Sequence, residues 1–519
     1  MSGRRGFRDT LLQRPGLRLT LAVAWLLALL AMLMLFPASE TVVAVINRLI
    51  SESVPPDRLP RLALAQGIPA EHRVLVVIPC LLTSEASIDA LVHRLRLHYL
   101  ANPERQAQFA LLSDWADADQ AQMPTDAALL NRATQQIMAL NARHPRLEQE
   151  VPEPQDAPRF ILLHRARQFS ETEQRWIGWE RKRGKLESLI AALAQGESSA
   201  FMNLGELSRL DWAALYLVTL DSDTQLPPGR LRELVSVAAH PHNQPQLDAE
   251  GRRVVAGYGI LQPRIVTPLP GPHELTRFHW LFAGQCGIDP YSAASSEVYQ
   301  DLFREGTFTG KGLLNVRAMH AMLSGRLPEG QVLSHDLLEG ALARCAAVTD
   351  ITVIEDAPFH ADVAASRVHR WTRGDWQLLP FLLSAGRYRL RAVNRWKMFD
   401  NLRRSLVAPM SLALLLLTLA GAPLAPGAAL ALVLAAFSAG PLLGALAGLA
   451  PGRPDVARLR FYRQALNDLA RACWGGLWHL VQLQQQALLA LDAMVRALYR
   501  MGLSQRHLLQ RTTAAAAQA

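Results

Sequence analysis

Short apolar runs alternate with amphipathic stretches through the middle of the chain, and long uncharged runs flank them. Between about 71 and 400 the short runs are Val74–Pro79, Phe109–Ser113, Phe160–Leu163, Leu215–Asp221, Val254–Ile260 and Ile351–Ile354. Each ends in polar or glycine-rich residues. After the first, Ile88, Leu91, Val92, Leu95 and Tyr99 recur at i, i+3, i+4, i+7 and i+11, which predicts a helix. Strands apolar on both faces and separated by helices predict an α/β fold with a mostly parallel sheet covered on both sides. Such sheets bind ligands at the carboxyl ends of their strands, so the polar residues just after the runs become the candidates for chemistry.

The flanking runs read differently. Leu19 to Phe36 is uncharged and just long enough to cross a hydrocarbon core of about 30 Å. Arg4, Arg5 and Arg8 make a cleaved signal peptide the rival reading. The run is long for such a peptide, and Pro37-Ala-Ser-Glu40 is a poor cleavage site, so an uncleaved anchor is expected. Ser405 to Gly452 is uncharged too, with a break at Gly421–Gly427, and predicts a helical hairpin through the membrane. A buried helical core would carry polar positions on an outer face. The expected division is a basic tail (1–18), a span (19–36), an interfacial connector (37–70), the α/β domain (71–400), the hairpin (405–452) and amphipathic interfacial helices (453–519).

These runs account for a composition of 519 residues that is 50% hydrophobic and only 19% charged. The net charge of +9 suits nucleic acid or an anionic membrane surface. The four cysteines, Cys80, Cys286, Cys345 and Cys473, include no CxxC pair, which excludes a disulfide scaffold and a cysteine-rich zinc module.

The clearest chemistry is Leu215-Tyr-Leu-Val-Thr-Leu-Asp221-Ser-Asp223. Alternate residues of an extended chain share a face, so Asp221 and Asp223 can approach one hard divalent cation. Two solvated acids in a turn are the plain alternative. Asp114 ends another run, where it could accept a donor from a base or ribose or belong to an acidic loop with Asp117 and Asp119. Glu180-Arg-Lys-Arg-Gly184-Lys185 opens an amphipathic helix and could hold phosphate or form an exposed basic patch. Gly310 and Gly312 make a turn that could approach a sugar. Asp336, in Ser-His-Asp-Leu-Leu-Glu-Gly, could cap a helix or act as a general base. Arg367, Arg370, Trp371 and Trp376 combine guanidinium forks suited to diphosphate with rings suited to a sugar face. The cluster lies shortly before the hairpin, which argues against nucleic acid. His240-Pro-His242 lacks further ligands at zinc spacing, and neither GxSxG nor GxGxxG is present.

Taken in order, VTLDSDTQLPPG (218–229), GYGILQPRI (257–265), CGIDPYS (286–292), YQDLFREGTFTGKG (299–312), LSHDLLEG (333–340) and RVHRWTRGDWQ (367–377) closely resemble the glycosyltransferase region of cyclic β-1,2-glucan synthases, glycosyltransferase family 84. The resemblance covers about 37 to 515. It implies a GT-A-type nucleotide-sugar domain fused to membrane helices, with UDP-glucose as donor, Mg²⁺ or Mn²⁺, and inversion to β-1,2 links on a growing glucan acceptor. By the same resemblance Asp221 and Asp223 match the DxD motif that holds metal and UDP-sugar. Asp336 matches the general base, and Arg367, Arg370 and Trp371 look like a Q/RxxRW motif. Asp114 and Lys185 look like the uridine-side acid and the phosphate-side lysine. Full-length synthases carry further membrane, cyclising and phosphorylase-like regions, so cyclisation by this chain alone is not expected. Separate cyclising, trimming or export proteins are candidate partners, as is the lipid bilayer.

UDP-glucose is cytoplasmic, so residues 71–400 are expected inside a bacterial inner membrane crossed more than once. Arginines on both flanks of the hairpin agree. The tail arginines Arg4 to Arg18 disagree, because a single span puts them outside. The alternative from another class is a non-catalytic membrane subunit that binds glucan or a partner. A β-glucan synthase of different linkage is a further alternative.

Overall fold

The computed structural model describes residues 15–146, 157–196, 199–268, 276–282, 296–384, 386–451 and 455–510. The CGIDPYS segment, Arg453 and both chain ends lie outside the described residues. Helix α1 (Pro15–Ser53) leads into a seven-stranded sheet of β1 (Val74–Leu82), β2 (Ala107–Trp115), β3 (Phe160–Arg165), β4 (Tyr216–Thr219), β5 (Ile260–Val266), β6 (Gly312–Asn315) and β7 (Cys345–Ile354). The strand order is β7-β5-β6-β4-β1-β2-β3. All neighbours run parallel except β6, which is antiparallel to both β4 and β5.

The apolar runs fold this way because both faces of the sheet are covered. On β1, Val74, Val76 and Ile78 enter one core while Leu75 and Val77 enter the other. The first core packs under α2 (Glu85–Ala101), α3 (Asp126–Arg143) and α5 (Arg230–Ala239); α4 (Arg181–Gln195), α6 (Val316–Leu323) and α7 (Asp336–Ala343) pack on the second. Each fully buried aliphatic or aromatic side chain contributes roughly 1.5–3 kcal/mol. Local signals agree with these bounds. Ser84 caps α2 by accepting from Ser87 N, and Gly196 ends α4 at φ 78°.

Three expectations change. The run Val254–Ile260 is not one strand, since Gly257 turns the chain at φ +64°, where a Cβ would lie 1.9 Å from the Gln244 carbonyl. Strand β6 has too short a run to be read from pattern. The first apolar helix does not end at Phe36 but continues through Pro37 to Ser53, because Val43 and Ile50 pack against Val298 and Tyr299.

Helix α8 (Ala361–Gln377) follows the sheet, then α9 (Ala392–Ser405), α10 (Val407–Leu419), α11 (Pro426–Ala447), α12 (Arg458–Val481) and α13 (Leu483–Tyr499). Thr20–Ser53, Ala392–Leu419 and Pro426–Ala447 are long and apolar enough to cross a membrane, and α1 packs along both α10 and α11. At the foot of this bundle Arg403 pairs with Asp400 and Glu40 at 2.7 Å each and donates to Ser39 Oγ at 2.9 Å. The end of the apolar part of α1 therefore lies level with the start of α10. Arg403 and Lys397 are buried, so two cations that the sequence offers as a basic flank hold the fold instead.

Candidate functional site

The polar residues after β4 and β7 and just ahead of the antiparallel β6 converge with the starts of α4 and α7 and the middle of α8. Asp221 follows β4, the strand beside β1 at the centre of the sheet. Lys182 Nζ, in the first turn of α4, lies 2.5 Å from Asp221 Oδ1 and donates to the Gly310 carbonyl at 3.0 Å. Lys311 Nζ, just ahead of β6, lies 3.1 Å from Asp221 Oδ2 and also pairs with Glu355, which follows β7. Burial alone would raise the Asp221 pKa, but the two ammonium groups outweigh it and hold the carboxyl well below the usual range. The same contacts raise Lys311 against the opposing effect of burial, and burial raises Glu355 despite its lysine partner. Asp223 is exposed to nearly the same degree as Asp221, at 35% against 32% of the side chain, but its nearest cation is Arg367 of α8, 3.8 Å away. Burial lowers the Arg370 pKa, as does neighbouring Arg367, while Asp221 and Asp336 oppose the shift. Trp371 is 37% exposed on the same helix.

Asp336 is not the helix cap. The cap position of α7 is His335, whose side chain makes no capping bond, and Asp336 is the first helical residue. Its Oδ1 is buried without a hydrogen-bond partner, while the side chain as a whole is 32% exposed. His335 Nδ1 lies 3.4 Å from that oxygen and 3.0 Å from Glu339 Oε1. Burial opposes a charge on His335, yet Glu339 and Asp336 outweigh it and raise its pKa. Gly310 closes the other side. At φ +87°, a Cβ there would sit 2.9 Å from the Asp336 carboxylate. An alanine adds about 1–2 kcal/mol of left-handed strain and pushes on the acid. Gly310→Ala is expected to lower any turnover that uses Asp336 by about 10–10²-fold with a modest loss of stability. Rate measured beside the thermal midpoint checks this, and an unchanged rate would free Asp336 from a role.

Asp114 and Lys185 come together elsewhere. Asp114 accepts from Arg165 through both oxygens, at 2.8 and 2.9 Å, and lies 3.4 Å from Lys185. Both side chains are at most 2% exposed, and Lys185 also donates to the Cys80 carbonyl. The pair joins β2 to β3 and α4, and in this conformation neither group presents a face to a ligand. Arg373 and Gln377 of α8 hold the segment after α13, donating to the carbonyls of Gln510 at 2.5 Å and Leu508 at 2.9 Å. The residues missed by sequence reasoning are Lys182, Lys311, Glu355 and the His335–Glu339 pair. Lys182 stood in the basic cluster at the start of α4, but its neighbour Lys185 was singled out. His335 and Glu339 carried a legible signal, four residues apart on one helix face.

The arrangement offers two acids toward a cation, a bank of cations for a diphosphate, and one carboxylate with a free oxygen for a proton. No protein-family model matches the chain. The chain is 40% identical over 495 residues to the cyclic beta-(1,2)-glucan synthase NdvB of Rhizobium meliloti (strain 1021), a match covering 95% of this chain and 17% of that protein. It thus spans about a sixth of its relative's length. Among solved structures it is similar to the mannosyltransferase PcManGT from Pyrobaculum calidifontis in complex with GDP-Man and Mn²⁺, at 14% identity and a TM-score of 0.42, covering 88% of this chain and 99% of that one.

Proposed function

We propose, from a chain related along nearly all its length to one segment of a cyclic beta-(1,2)-glucan synthase, that the protein is a membrane-bound inverting glucosyltransferase of GT-A type. It polymerises β-1,2-glucan from UDP-glucose. The observation that carries the reading is the convergence of Asp221, Asp223, Lys182, Lys311, Arg367 and Asp336 around one space at the strand ends.

A divalent cation, Mg²⁺ or Mn²⁺, fits the donor set unequally. The carboxylate of Asp223 is partly exposed and makes no hydrogen bond among the described residues. Both oxygens of Asp221 already meet ammonium groups. Asp223 would therefore be the principal protein ligand, with Asp221 assisting. When bound, the cation would neutralise charge on the diphosphate.

The chain's own groups supply the rest. Lys182, Lys311, Arg367 and Arg370 gather positive charge where a diphosphate leaves. Asp336 takes the proton of the acceptor's 2-hydroxyl as that oxygen bonds to the anomeric carbon from the face opposite the breaking bond. The bond to the diphosphate breaks with its electron pair, UDP departs, and the α-linked donor gives a β link. Asp336 later returns the proton to solvent.

The three apolar helices hold the domain at a bacterial inner membrane with the site on the cytoplasmic side, where UDP-glucose is made. The amphipathic α12 and α13 lie against the bilayer surface. Incubation of membranes with labelled UDP-glucose and Mg²⁺ should yield a glucan whose linkage analysis is β-1,2. A product with only β-1,3 or β-1,4 links would assign another specificity. UDP-glucose binding without turnover under several metals and primers would favour the non-catalytic alternative.

A further inference from the structure

We propose that a second anion-binding site, for a phosphate-bearing ligand, lies on the face formed by the turn before α9 and the hairpin of Gln246–Leu247 and Val254–Ala256. Two adjoining cavities of about 520 and 580 Å³ meet there, each within the size range of ligand pockets. They share Arg389 and have no lining residue in common with the Asp221–Asp223–Asp336 site. Seven arginines line them against two carboxylates, Asp248 and Glu250.

Three features make this more than a charged surface. Among the described residues, Arg252, Arg253, Arg387 and Arg395 have no carboxylate at ion-pair distance, so four guanidinium groups at the cavities are not tied up in direct ion pairs. Arg389, at the junction, holds φ +52°, a left-handed backbone that non-glycine residues adopt at a cost. Its partners are Asp248 at 3.3 Å, which also accepts from the backbone N–H groups of Arg252 and Arg253, and the exposed Glu250 at 2.7 Å. Forked guanidinium groups select phosphate, and the strained backbone keeps one of them at the mouth of both cavities.

The site also touches the catalytic side. Arg391, which lines the first cavity, pairs with buried Glu305, and Lys397 of α9 donates to the Glu305 and Gly306 carbonyls at 2.9 and 2.8 Å. Five residues further on is Gly310, against Asp336. An anion that draws Arg391 toward itself loosens that tether, so occupancy is coupled to the turn beside the acid.

The ligand phosphate has two sources, a soluble molecule or an anionic lipid headgroup. Exposed Trp396 and Phe399 on α9, at 44% and 49%, are side chains suited to a membrane interface, where a headgroup would supply the phosphate. The test is a calorimetric titration of inorganic pyrophosphate into the full chain in nanodiscs, free of divalent metal. Wild type is compared with the double variants Arg253→Ala/Arg389→Ala and Arg367→Ala/Arg370→Ala. Tenfold or greater weakening of one binding event in the first variant, with that event kept in the second, is the expected result. Equal affinity in wild type and the first variant overturns the proposal, whether or not glucosyl transfer is ever detected. Repeating the titration in phosphatidylcholine and in phosphatidylglycerol discs separates the sources. Competition only by phosphatidylglycerol assigns a lipid headgroup, and none assigns a soluble anion.

Discussion

Asp336→Asn is expected to cut glucosyl transfer by about 10²–10⁴-fold while leaving donor binding intact. Asparagine keeps the shape and loses the proton acceptor. The structure removes the usual objection, that such a change merely disturbs a helix start. Asp336 is the first residue of α7 and makes no capping bond, so its carboxylate contributes little to the helix. Its Oδ1 has no hydrogen-bond partner, and the His335 ring nitrogen lies 3.4 Å from it. Donor binding should survive because the diphosphate side is built from Asp221, Asp223, Lys182 and Lys311. The measurement is transfer rate beside UDP affinity in protein whose thermal midpoint is unchanged. Turnover within a few fold of wild type would remove Asp336 as the base.

Asp223→Asn should fail in a different way. Asp223 has the carboxylate that no lysine engages, so its loss should weaken metal-dependent donor binding and lower turnover by about 10²–10³-fold together. Asp221→Asn makes the informative comparison. It leaves Lys182 and Lys311 without their shared carboxylate, so it should alter how the lysines meet the diphosphate even where no metal is added. UDP titrations with and without Mn²⁺ separate the two. If Asp223→Asn keeps a normal Mn²⁺ response, the cation is not held there.

The sheet was legible because a strand buried on both faces must be written as an uninterrupted apolar run, as Val74–Pro79 and Phe160–Leu163 are. Asp221 and Asp223 were legible for the same reason, since polar residues ending such a run sit at the sheet's binding edge. The partners of Asp221 were not. Lys182 is 39 residues away in the chain, and Lys311 arrives through a strand that runs backwards in the sheet, which no local pattern announces. The choice of Lys185 over Lys182 shows how fine the distinction is. Three residues apart on one helix, one lysine reaches Asp221 while the other turns inward to Asp114 and the Cys80 carbonyl. The backbone just ahead of them is left-handed at Glu180 and Arg181, a conformation that no local propensity announces.

The clamp of Arg403 on Glu40 and Ser39 has a consequence for biogenesis. Its halves are separated by 363 residues for Glu40 and 364 for Ser39. At translation rates of roughly 5–20 residues per second, Glu40 leaves the ribosome some 20–70 s before its arginine exists. The first apolar helix is therefore made long before its partner and waits unpaired through synthesis of the whole α/β domain. The clamp that joins the first apolar helix to the later ones cannot close until synthesis has passed Arg403, so α1 stays without this partner throughout that interval.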